Sequence, residues 1–374
     1  MWRMAVAIVL IPSVLSAQGQ PLSLVRERVI DAEFGGVGSG AVDRRGRIYA
    51  TDFMAQHVVV FSGDGVRVDT IGREGRGPGE FAGLGAVVIG RGDTLFALDL
   101  ALRRITAWPL GETHTSAYTL PIPMGKGQVL TNLLLAPASG FVVGYEEAYT
   151  AKAEINPVVS VRFLRPNRTL ARDSLFATQR IEALVRRLPR GTSVGPLPYG
   201  RMPIYQSGPE DRVYWSWSNS VRVSAVGLEG TSAVIVDEKA PDLPVGQRDL
   251  DRLLSSFEDS DSVARGNLRD AIREGVLPRT KPAFRAMVVD DMGRIWVGRI
   301  GKEDHLVMRA GVLSYTSPTR TMTWEVLDGP RRATVSLPDD IELKVVRNGK
   351  AYGVRRDEDG VESIVVFAVR PGGR

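Results

Sequence analysis

The chain has 374 residues with a formal net charge of +5, 24% charged and 43% hydrophobic residues, no cysteine, 40 glycines and 22 prolines. Without cysteine, thiol nucleophiles, thiolate metal sites, disulfides and lipid attachment through a cysteine are excluded. The charge excess is mild and not gathered into a basic tract, which argues against nucleic acid as a partner and leaves acidic small molecules or glycans open.

Residues 1–17 read as a cleaved secretory signal. Arg3 supplies the positive start, Met4 to Leu15 is an apolar run, and Ser16-Ala17 ends it in small residues. The run is too short to span a bilayer, so a periplasmic or secreted protein without a membrane anchor is expected. Residues 18–374 then read as one domain.

Leu22 to Ile30 is a run that belongs to no complete unit at this end of the chain. After it a repeat begins. Gly40-Ala41-Val42 leads through Asp43-Arg44-Arg45-Gly46 into Arg47-Ile48-Tyr49-Ala50-Thr51-Asp52, then His57-Val58-Val59-Val60-Phe61, then Ser62-Gly63-Asp64-Gly65 and Val66 to Ile71. Short apolar runs separated by Asp/Gly turns predict four strands in a meander. The second strand recurs as Asp93 to Asp99, Ser139 to Tyr145, Asp211 to Trp217, Gly293 to Arg299 and Gly349 to Arg355. The fourth position is Tyr49, Phe96, Val142, Tyr214, Trp296 and Tyr352, at intervals of 47, 46, 72, 82 and 56 residues. A four-stranded propeller blade takes about 40–45 residues. The first two intervals therefore fit with little excess, and the others carry insertions.

Between the first and second units, Ile71-Gly72-Arg73-Glu74-Gly75-Arg76-Gly77-Pro78-Gly79-Glu80-Phe81 resembles the inter-blade linker of NHL-repeat proteins. Met292 to Val297 and Gly353 to Glu362 are similar to bacterial exported six-bladed β-propellers. The resemblance implies an all-β, six-bladed propeller and by itself no activity. The last unit shows three strands before the chain ends, so Leu22 to Ile30 is expected to supply its fourth strand and close the ring.

Two insertions read as helical. Residues 178–188 carry Ile181, Leu184, Val185 and Leu188 at helical spacing before Pro189. Residues 247–274 read as a helical hairpin, with Leu250, Leu253, Leu254 and Phe257 on one helix and Val263, Leu268 and Ile272 on the next. They fall between the third and fourth and between the fourth and fifth units, on one face of the ring.

His57, His114 and His305 are scattered and show no metal-ligand spacing, so no metal and no cofactor is expected. There is no G-x-S-x-G elbow, and the glycine-rich linker lacks the Gly-Lys-Ser/Thr ending of a phosphate loop. The seventh position of the repeat is Asp52, Asp99, Tyr145, Trp217, Arg299 and Arg355. If the strands align, these six lie on the face that bears the insertions and form a candidate ligand-binding collar. Aromatic rings offer stacking area and arginines pair with carboxylate or phosphate. Asp at this point also serves as a loop cap. Arg265, Arg269 and Arg273 form a further stripe on the second helix, either at the same mouth or on a solvated face. The reading is a monomeric, exported binding module for a small molecule, glycan or protein, rather than an enzyme. Its rival is a lyase or hydrolase working in the same mouth.

Overall fold

A computed structural model describes residues 22–90, 92–110, 118–147, 158–165, 174–188, 191–257, 262–309 and 311–372. The expected signal segment and His114 lie outside the described residues.

Strand β1 (Leu22–Phe34) comes first in the chain and pairs with the last strand. The first blade is the meander β2 (Val37–Val42), β3 (Ile48–Asp52), β4 (His57–Phe61) and β5 (Arg67–Ile71). The second is β6 (Leu84–Gly90), β7 (Thr94–Asp99), β8 (Arg104–Pro109) and β9 (Tyr118–Pro121). The third is β10 (Gln128–Leu135), β11 (Phe141–Glu147), β12 (Val158–Leu164) and β13 (Phe176–Gln179).

A separate hairpin follows, β14 (Ala183–Leu188) and β15 (Gly191–Pro196). The fourth blade is β16 (Pro203–Gly208), β17 (Arg212–Trp217), β18 (Val221–Val226) and β19 (Ser232–Glu238). Helices α1 (Gln247–Ser255) and α2 (Ser262–Arg273) precede the fifth blade. That blade is β20 (Phe284–Val289), β21 (Ile295–Arg299), β24 (Thr321–Asp328) and β25 (Arg331–Pro338). A second hairpin, β22 (His305–Arg309) with β23 (Val312–Thr316), is inserted in it after β21. The sixth blade is β26 (Ile341–Arg347), β27 (Lys350–Arg356), β28 (Glu362–Pro371) and β1.

The first strands of the blades form the inner ring: β2 lies against β6 and β26, β10 against β6 and β16, and β20 against β16 and β26. Each pair of neighbouring blades encloses its own apolar core. The fourth repeat position puts one side chain at each of these six interfaces: Tyr49, Phe96, Val142, Tyr214, Trp296 and Tyr352. That regularity is why the repeat is visible despite divergent sequence, since a large side chain on the second strand is what fills the wedge between twisted sheets.

In the first and fifth blades the turn between first and second strands is tied by a buried acid. Asp43 accepts from the Arg47 backbone N–H (2.8 Å), the Arg47 guanidinium (2.7 Å) and the Tyr49 hydroxyl (3.2 Å). Asp290 does the same with the Arg294 backbone (2.8 Å), its guanidinium (2.6 Å) and the Trp296 indole (3.0 Å). The glycine-rich linker is a similarly closed device. Gly72 has φ +81°, and a Cβ there would stand 2.4 Å from the Phe81 ring. Phe81 is fully buried beside Trp108.

One expectation is corrected. Residues 178–188 are not helical: Gln179 ends β13, and Ala183–Leu188 is one arm of the β14–β15 hairpin, paired residue for residue from Ala183↔Pro196 to Leu188↔Gly191. Over so short a run, apolar residues at 181, 184, 185 and 188 fit a ribbon as well as a helix. The unpaired backbone of an isolated turn of helix is less well satisfied than a full ladder.

Candidate ligand-binding site

In every blade the start of the first strand faces the end of the second, as in Val37↔Asp52, Leu84↔Asp99, Pro203↔Trp217 and Phe284↔Arg299. Connections that enter a first strand and connections that leave a second strand therefore emerge on one face. The β14–β15 hairpin, the helical pair and the β22–β23 hairpin are all such connections, so all three insertions rise from the same end of the ring.

There they build a small core of their own. Tyr199, Leu253, Phe257, Leu268 and Leu306 are buried together, with Leu313 and Tyr315 packed against them. The cap is stapled to the ring by Lys281, whose buried ammonium donates to Asp249 (2.9 Å) and to the carbonyls of Lys302 (3.0 Å) and Asp304 (2.6 Å). All three of its donors are used, which offsets the cost of burying so polar a group. Asp249 also accepts from the Gly246 backbone and so caps α1.

Between this cap and the inner strands of the fourth, fifth and sixth blades lies a cavity of about 480 Å³. Its apolar walls include Leu197, Met202, Phe284, Leu306, Leu313 and Ile341. It adjoins the central channel, a space of about 670 Å³, and Met202, Arg285, Ala286 and Glu342 border both.

The channel is lined largely where the first strands slip register. β2 slips between Val37 and Gly40, β6 between Leu84 and Val87, β10 between Leu130 and Asn132, β20 between Phe284 and Ala286, and β26 between Leu343 and Val345. The extra residues Ser39, Ala86, Thr131, Arg285 and Lys344 all line the channel. A bulge frees a residue from strict alternation and re-aims its side chain.

Arg285 is thereby turned to the junction of channel and cavity. Its Nε donates to the Met322 sulfur and one terminal nitrogen donates to the Tyr315 carbonyl (3.1 Å). No carboxylate lies within ion-pair distance among the described residues. Burial lowers its pKa from the ordinary arginine value, opposed by the charges of Glu342, Asp339 and Asp304. Tyr315 lines the same cavity, and its hydroxyl is shielded from solvent and without a partner among the described residues. Burial, first of all, pushes its pKa up, so it stays a neutral donor.

The acids on the wall are mostly engaged. Asp339 accepts from the Thr316 hydroxyl (2.5 Å) and the Ser317 backbone (3.1 Å). Glu362 accepts from Arg356 and from the Val37 backbone. Glu342 pairs with Lys344 at 2.8 Å.

None of the six collar residues borders the cavity or the channel. Asp52 is buried and caps the loop after β3, accepting from the backbones of Gly35, Met54 and Ala55. Asp99 is buried and accepts from Ala82 and Leu102. Tyr145 is core: its hydroxyl donates to the Pro123 carbonyl, Arg162 lies over its ring, and burial pushes its pKa up to about 12. Trp217 is half-buried opposite Pro203. Arg299 is held by Glu325 (2.7 Å) and Glu238 (3.0 Å), and Glu238 also binds Arg332. Arg355 sits in the ladder between Ile341 and Ser363. The second strand stands one place outward from the channel, so its end points into the wall between blades rather than into the opening. On the helix, Arg273 pairs with Asp270 at 2.7 Å. Among the described residues no three His, Asp or Glu side chains are grouped as metal ligands.

The chain is a six-bladed β-propeller. Residues 40–127, less than half of the chain, match a family described as 6-bladed beta-propeller. The fold is similar to that of a Bacteroides fragilis protein assigned to the exported class, with 12% identity, TM-score 0.51, and coverage of 96% of this chain and 98% of that one. Weaker likenesses include an aldose sugar dehydrogenase of Streptomyces coelicolor bound to PQQ (11% identity, TM-score 0.47, 95% and 100% coverage). Virginiamycin B lyase of Staphylococcus aureus is another (10%, 0.41, 93% and 99%). At these identities the likeness concerns the fold alone. No curated protein is recognisably similar in sequence. No helix of the described residues is long and apolar enough to cross a membrane.

Proposed function

We propose that the protein is an exported, non-enzymatic binding propeller that holds a small ligand in the cavity between the cap and the channel mouth. The carrying observation is the convergence of three separate insertions on one face, where they share a core and enclose about 480 Å³ beside the channel. Long surface insertions cost little stability, so stability alone does not account for three of them meeting. Loops on a rigid scaffold are where recognition groups gather, and a mostly apolar concavity with a few polar groups is the usual form of a small-molecule site. Export is supported by the apolar run from Met4 to Leu15 and by the fold-level likeness to an exported protein.

Binding is favoured over catalysis by the state of the wall. Asp339 and Glu362 are tied into hydrogen bonds that hold loops and strands, which leaves them poor candidates for moving protons.

The test is a thermal-shift screen of small metabolites on the wild type and on Ser314→Phe, which fills the cavity from its β23 wall. Compounds that raise the melting temperature of the wild type and not of the variant support the reading. Compounds that stabilise both alike place binding elsewhere.

A further inference from the structure

Three arginines border the cavity: Arg356 is paired with Glu362, Arg309 lies half-buried at the end of β22, and Arg285 is the one set on an inner strand. Arg285 interrupts the apolar run Ala283-Phe284-Arg285-Ala286-Met287 on the innermost strand of the fifth blade. A surface arginine would sit on an outer strand, and a structural arginine inside a protein would meet a carboxylate. Arg285 does neither. Its hydrogen-bond partners are a thioether, which is a weak acceptor, and a single backbone carbonyl, which leaves most of the five-donor fork unused. The contrast within the same blade is plain, because Arg299 is gripped by two glutamates and Arg294 by Asp290.

The second group is Tyr315. Through its carbonyl it is already in contact with Arg285, and its own hydroxyl, sheltered from water, has no hydrogen-bond partner among the described residues. A buried donor left unmade is costly, about as costly as losing a hydrogen bond. A cavity edged by a guanidinium with spare donors and a neutral phenol lacking an acceptor is complementary to an anion that brings two or more acceptor oxygens. The apolar part of the wall, Leu197, Met202, Phe284, Leu306, Leu313 and Ile341, suits an apolar body.

The size of the negative charge is limited as well. Asp339, Asp340, Glu342 and Glu362 stand on the same wall as Arg285, Arg309 and Arg356, so a single negative charge seated on Arg285 is better balanced than two.

Resting on the binding reading above, we propose that the ligand is a small amphipathic monocarboxylate: its carboxylate is bound by Arg285 and Tyr315, and its apolar body lies against Leu313 and Met202 beneath the cap.

The experiment compares 2-naphthylacetate with its neutral isostere 2-naphthylacetamide by isothermal titration. The proteins are the full mature chain, Arg285→Met, Tyr315→Phe and Ser314→Phe, each checked for an unaltered cooperative melt. The wild type is expected to bind the acid at least tenfold more tightly than the amide. Arg285→Met is expected to erase that preference while keeping affinity for the amide, and Tyr315→Phe to weaken the acid severalfold. Should Arg285→Met fail to fold, the wild-type ratio and Tyr315→Phe still decide. Equal binding of acid and amide by the wild type, lost in Ser314→Phe, overturns the carboxylate assignment and leaves the cavity as a ligand site. Tighter binding of the dianion 2-naphthyl phosphate than of the acid overturns the monoanion assignment in the same way. Failure of all three probes to bind overturns both this inference and the binding reading.

Discussion

Single residues show how one side-chain type serves opposite ends in this ring. Asp290 is buried and takes hydrogen bonds from two backbone amides, a guanidinium and the fully buried Trp296 indole. Its neighbour Asp291 is exposed and accepts only from the Asn348 backbone among the described residues. Changing Asp290 to alanine leaves an indole N–H without a partner in the core and should lower stability by roughly 2–4 kcal/mol. The same change at Asp291 should cost about 1 kcal/mol or less. Urea unfolding of the two variants measures the difference, and equal losses would remove the role given to the buried turn acid. Both residues stand next to each other in the turn between β20 and β21, and periodicity does not tell the buried member from the exposed one. Arg285 was hidden for a related reason. In an alternating strand it would be placed by its neighbours, but the bulge between Phe284 and Ala286 takes it out of the ladder, and bulges have no reliable pattern in one sequence.

At the scale of elements, the repeat was legible because each second strand must supply a side chain to the same inter-blade wedge, whether Tyr49 or Trp296. The insertions were less so. Residues 247–274 carry enough turns of helix for Leu253, Leu268 and Ile272 to show a stripe, and α1 and α2 form over Gln247–Ser255 and Ser262–Arg273. The run at 178–188 is too short for its spacing to choose between helix and ribbon. The β22–β23 hairpin gave no signal beyond a long interval between the fifth and sixth copies, so Tyr315 went unnoticed. Strand β1 forms its ladder with β28 from Leu22↔Pro371 to Phe34↔Glu362, joining the two ends of the described chain in one sheet. We propose that this pairing is what closes the ring. Removing residues 22–30 would expose the β28 edge and the apolar face beneath it. A fall in melting temperature of at least ten degrees with loss of a sharp transition is expected by calorimetry, whereas an unchanged cooperative melt would contradict the closure role.

For the whole molecule, the two faces differ in what they carry. One end of the ring carries, among the described residues, tight turns such as 43–46 and 290–293. The other bears a capped cavity, a lysine staple through Lys281 and a poorly compensated arginine. The sequence pointed to that face through its insertions, and its candidate residues lie on the second strands, whereas the cavity and channel are bordered by first strands and by the insertions. Register arithmetic identifies which end of a strand lies at a mouth. It does not say which side chains reach the opening, because that depends on bulges and on loops arriving from other blades. The most direct measurement is a crystal structure of the protein soaked with 2-naphthylacetate. Density for the naphthyl group under the cap, with its carboxylate within hydrogen-bond distance of Arg285, is the predicted result. Density only at the opposite mouth, near Arg44 and Arg45, would contradict the account.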